Sequence, residues 1–91
     1  MGKTKLAYLS LKNISEGCFS DEYAINVENY WGETTSGFFE KQHVKEGMLE
    51  VKVVEEKGNM VSIIVPGRFI EGNEEAGMGN FITVNRKTII P

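Results

Sequence analysis

The residue types able to do chemistry are few in this chain, and their spacing brings them no partners. His43 is the only histidine and Cys18 the only cysteine. His43 stands in the charged run Glu40-Lys41-Gln42-His43-Val44-Lys45-Glu46, which reads as a connection between strands. A general base needs an orienting group and a reacting group within reach. Neither is signposted, so a solvated loop histidine is expected. A zinc site would have to draw its remaining ligands from carboxylates, and no spacing suggests it. Cys18 sits among Glu16, Asp21 and Glu22, whose negative charge disfavours a thiolate. A small apolar residue in or near the core is its expected role. The same three carboxylates lack the Asp-x-Asp-x-Asp-Gly spacing that folds a loop around calcium, which leaves an acidic surface. Gly77-Met78-Gly79 is half of a nucleotide fingerprint, but it precedes a strand where phosphate binding wants a helix N-terminus. It reads as a flexible loop with Met78 as an adaptable apolar tip. No cofactor, metal or catalytic set is expected, and the chain does not read as an enzyme.

Aromatic residues offer the better functional signal. Tyr30 and Trp31 fall near the tip of an expected hairpin, and Phe38-Phe39 lies on its return strand. Adjacent residues of a strand point to opposite faces, so one of Phe38 and Phe39 must leave the main core unless something covers it. Exposed aromatics among polar residues mark interaction surfaces, because Tyr and Trp bring large contact area at low entropy cost. The commoner outcome in so small a domain is burial. In that case Trp31 plugs one open end of the fold and the outward Phe lies beneath the loop of residues 71–80.

The elements that position these residues follow from a side-chain period of two. Ala7, Leu9 and Leu11 alternate with Tyr8, Ser10 and Lys12 in a first strand over residues 4–13, closed by a turn at Ser15-Glu16-Gly17. Residues 20–31 carry two patterns. Ser20-Asp21-Glu22 resembles a helix start, with Tyr23, Val27, Tyr30 and Trp31 on one helical face. Yet Tyr23, Ile25 and Val27 alternate with Ala24, Asn26 and Glu28, and the helix would leave Ile25 wet. The strand is favoured, pairing residues 22–30 with 34–40. Leu49, Val51 and Val53, then Val61, Ile63 and Val65, mark a hairpin over residues 48–65 that turns at Lys57-Gly58-Asn59. Pro66-Gly67 ends or bends that strand. Arg68-Phe69-Ile70 continues it briefly, residues 72–80 form a glycine-rich loop, and Phe81–Asn85 and Thr88–Ile90 close the chain as short strands.

About five to seven short antiparallel strands with turn signals roughly every eight to twelve residues imply an all-β domain. At 91 residues the chain supports one domain, residues 1–91. Two full sheets are hard to build from so few residues. A strongly bent small barrel, SH3-like or OB-like in architecture, is therefore expected, and it would also remove free edges. Such a likeness of architecture carries no function.

Composition narrows the partners. The net charge is −3, and Glu16, Asp21, Glu22, Glu28 and Glu33 occupy a stretch without Lys or Arg. Duplex binders concentrate positive charge, so duplex nucleic acid is not an expected partner. No run approaches the roughly 20 apolar residues that span a bilayer. The apolar run near the N-terminus is too short for a signal peptide. A lone cysteine fits a reducing compartment, and a cytoplasmic location is expected. The leading expectation is a non-enzymatic interaction module that meets another protein or itself, as a homodimer, through Tyr30, Trp31, Phe38 and Phe39 or through an edge strand. The alternative is a barrel that binds a small ligand, an oligosaccharide or a single nucleic-acid strand. Its lid would be the loop around Gly77, Met78 and Gly79, closing over stacked aromatics.

Overall fold

Alternating burial drives the chain into strands almost end to end. The computed structural model describes residues 5–17, 19–71 and 79–90, the side chains of Arg68, Ile70 and Glu71 excepted. Ten strands run through them: β1 (Lys5–Ser10), β2 (Asn13–Glu16), β3 (Glu22–Glu28), β4 (Thr34–Glu40), β5 (Val44–Lys45), β6 (Met48–Lys57), β7 (Met60–Ile64), β8 (Arg68–Glu71), β9 (Phe81–Asn85) and β10 (Ile89–Ile90). Two 3-10 turns, Lys41–His43 and Arg86–Thr88, connect β4 to β5 and β9 to β10. The stretch at residues 22–28 is strand, with Ile25 and Val27 buried and Tyr23 packed against the core. No described helix is long and apolar enough to cross a membrane.

The strands form two antiparallel sheets. One has the order β10-β1-β6-β7-β9 with β5 beside β6, and the other the order β2-β3-β4-β8. No closed barrel is found among the described residues. Two sheets fit into so short a chain because strands are shared between them. β1 passes into β2 across Leu11-Lys12, and β7 passes into β8 across Val65-Pro66-Gly67, each changing sheet at a corner. The same corners raise the number of strands above the five to seven expected, since each bent run counts twice. The two-residue strand β5 adds another, whereas β10 falls where a final short strand is expected. Ser15 and Glu16, expected in a turn, instead pair with Ala24 and Tyr23 in β2. Partners across a ladder outweigh local turn preference there.

The core lies between the sheets. Leu9, Val51, Ile63 and Ile82 from one face meet Ile25, Val27, Phe39 and Phe69 from the other, all buried. Phe39 and Phe69 meet edge to face at 5.7 Å, a geometry favoured by the ring quadrupoles. The hairpin of β6 and β7 turns at Gly58-Asn59, with Lys57 opposite Met60 and a bulge at Val54. Val65, at the second corner, bonds through its N–H to the Asn80 carbonyl, and Phe69 N–H bonds to Gly79. The described end of the long loop is thus tied to β8. Gly77, Met78 and Cys18 lie outside the described residues.

Candidate functional site

The β3–β4 hairpin places Glu28 opposite Thr34 and leaves Asn29 to Glu33 as its tip. Asn29 is buried and organises that tip. Its Oδ1 accepts from the N–H of Trp31 at 3.0 Å and of Glu33 at 2.9 Å, while Nδ2 donates to Glu33 Oε1 at 3.0 Å. This is the asparagine-capped turn expected when a short amide side chain substitutes for backbone. Main-chain bonds from Asn29 to Glu33 and from Gly32 to Asn29 close the turn. Gly32 takes φ +87°, a left-handed value that favours glycine. Tyr30 N–H donates to the Thr83 carbonyl at 2.8 Å, which docks the tip of one sheet on β9 of the other.

This lattice of bonds presents Trp31 to solvent. The residue is 57% exposed, and its ring meets that of the half-buried Tyr30 edge to face at 5.6 Å. Beside it opens a groove of about 570 Å³. The β1–β2 corner, the end of β3 with its tip, and the segment around Asn85 and Lys87 form its walls. Lys12 and Lys87 supply positive charge there and Glu28 negative charge, with amides from Asn13, Asn26 and Asn85 between them. The site is a mixed-charge cleft with an aromatic post at one end. Among the described residues it holds no histidine, and no group of three or more His, Cys, Asp or Glu side chains could hold a metal ion.

The expected aromatic residues fall into two places. Tyr30 and Trp31 share the groove, and Trp31 is exposed where the commoner expectation was a plug. Phe39 is buried in the core at 1% exposure, and Phe38 is half-buried on the opposite face of β4. An ideal Cβ on Gly17 would stand 3.2 Å from the Phe38 ring, so the β2–β3 connection lies against it. Neither Phe lines the groove, nor does Gly79. Lys12, Glu28 and Lys87 were not singled out from sequence, because nothing local says that a corner, a strand end and a 3-10 turn converge. The turn-forming amide of Asn29, two residues before Trp31, was the nearest local signal.

His43 approaches Glu40 and Glu50 at 3.5 and 3.9 Å, and these carboxylates are its charged neighbours among the described residues. Glu16 accepts from Lys41 Nζ at 2.8 Å, and that ammonium also sits over the Tyr23 ring at 4.9 Å. The hydrogen bond to Glu16 raises the Lys41 pKa above its ordinary value. Comparison with protein-family models, curated proteins and solved structures finds no match for this chain.

Proposed function

We propose that the chain is a non-enzymatic interaction module that seats a segment of a partner protein in the groove beside Trp31. The observation that carries this is a 57% exposed tryptophan, its backbone tied into the Asn29 turn, at the mouth of a 570 Å³ cleft. Aromatic anchors held without entropy cost dominate protein interfaces. Walls carrying both signs of charge suit a polypeptide, whereas a nucleic-acid track wants a run of positive charge. The sharing of β1/β2 and β7/β8 between sheets supports the reading that both sheets curl into one bent, SH3-like or OB-like barrel layer. A reducing, cytoplasmic setting suits a lone cysteine.

Selection of a random peptide library on the domain tests this proposal, with affinities followed by Trp31 fluorescence for the wild type and by calorimetry for every variant. Trp31→Ala is expected to weaken a selected peptide by at least about 30-fold, the effect of one hot-spot residue. Phe38→Ala is expected to leave affinity within a few-fold. No enrichment of any peptide, or equal binding by Trp31→Ala, contradicts the reading. A second reading is supported by the groove's carboxamides. Asn13, Asn26 and Asn85 beside an exposed Trp also suit an oligosaccharide. Quenching of Trp31 by sugars and not by peptides would favour it.

A further inference from the structure

Strand β2 is the edge of its sheet, and β3 is its only described partner. It carries no proline and no bulge, devices that commonly blunt an edge. All four of its residues are exposed, including Ile14 at 36%.

The phase of its hydrogen bonds fixes what this edge can accept. Gly17 N–H donates to the Glu22 carbonyl at 3.1 Å. The β2–β3 register is unbroken, with Asn13 opposite Asn26 and Ser15 opposite Ala24. In an antiparallel ladder hydrogen-bonded residues alternate with unbonded ones. Ser15 and Asn13 therefore turn their backbone groups toward β3, and Ile14 and Glu16 turn theirs outward.

We propose that β2 pairs antiparallel with β2 of a second copy of this chain, with Ile14 on the two-fold axis. An outward-facing residue on the axis forms reciprocal N–H to C=O bonds with its own copy. Continued one residue into the corner before β2, this register also brings Lys12 toward Glu16 of the other copy, on both sides of the axis, and opposite charges facing across strands attract. Asn13 then faces Ser15. The strip is self-complementary in hydrogen-bond phase and in charge, which is what an isologous two-fold interface requires. Glu16 also holds Lys41 within its own protomer, and its side chain is 72% exposed, so its outer oxygen is open to a second cation. The seam is short, so the dimer is weak and depends on concentration. Lys12 and Asn13 also line the groove, so self-association is read without any peptide present, and Ile14→Pro and Glu16→Lys probe the edge outside the groove lining.

Sedimentation equilibrium over a wide concentration range tests it. The wild type is expected to approach twice the 10.2 kDa chain mass at high concentration. Ile14→Pro removes an outward N–H and leaves the β2–β3 ladder its own bonds, so it is expected to be monomeric with an unchanged far-ultraviolet circular dichroism spectrum. Lys12→Glu and Glu16→Lys each place like charges opposite one another and are expected to weaken self-association about tenfold. Mixed together, those two variants restore both attractions, and the mixture is expected to dimerise more strongly than either alone. That recovery separates loss of the interface from loss of folding. A wild type that stays monomeric, or a dimer indifferent to all three substitutions, overturns the proposal, as does a mixture no stronger than its parts.

Discussion

The amide of Asn29 accepts from the N–H of Trp31 and of Glu33, and its own N–H group binds the Glu33 carboxylate. A single buried side chain thereby holds the turn on which the binding residue stands. Asn29→Ala would remove the acceptor of those two partly buried backbone donors, at a cost of about 0.5–1.5 kcal/mol for each hydrogen bond lost to water. Urea denaturation is expected to show that loss, and the fluorescence anisotropy of Trp31 is expected to fall because the ring gains freedom. An unchanged anisotropy would mean that the tip is held by its main-chain bonds alone. Trp31 and Tyr30 were readable in the sequence as residues at a hairpin tip. Asn29 carries a turn-forming amide, but nothing local in the sequence marked it as the residue that organises the tip or as buried.

Hairpins and alternating strands are the parts of the fold most visible from sequence, because a period of two is a local property. The β6–β7 hairpin and the β3–β4 pairing both lie where alternation puts them. The corners are less visible, since a strand that changes sheet keeps the same local pattern on both sides of its bend. Pro66-Gly67 marked one corner, and Leu11-Lys12 gave no such mark. Gly67 shows why the marked corner needs its residue. A Cβ there would stand 2.7 Å from the ring of Phe39 and 3.3 Å from the Phe38 carbonyl. Phe39 is fixed in the core against Phe69, so it has little room to yield. Gly67→Ala is expected to destabilise the fold by about 1–3 kcal/mol, the usual cost of overpacking, as a lower urea midpoint at unchanged slope. A stability equal to wild type would show that the corner can open.

Across the whole molecule, β1 and the last 3-10 turn meet at Glu56. Its carboxylate binds Lys5 of β1 at 2.8 Å and Arg86 of the last 3-10 turn, while Arg86 Nε also binds the Gly58 carbonyl at 2.9 Å. These hydrogen bonds, Lys5 first and Arg86 next, hold the Glu56 pKa below its ordinary value. A carboxylate depressed in the folded state contributes stability above its unfolded pKa and loses it as pH falls through the folded value. Glu56→Gln is therefore expected to be less stable than wild type near neutral pH and to lose less stability on acidification. The gap should narrow in high salt, since the cluster is exposed. Parallel acid limbs for the two proteins would show that the cluster adds nothing. Such links between distant segments, like the convergence of Lys12, Glu28 and Lys87 on one groove, have no local signature. They became visible only with the sheets assembled.

The most direct test of the account follows the amide resonances of the labelled protein by nuclear magnetic resonance during titration with a selected peptide. Shifts are expected to concentrate at Ser10–Asn13, at Asn26–Thr34 and at Asn85–Thr88, with the indole N–H of Trp31 among the largest. Shifts confined to other surfaces, with that indole unmoved, would contradict the placement of the binding site.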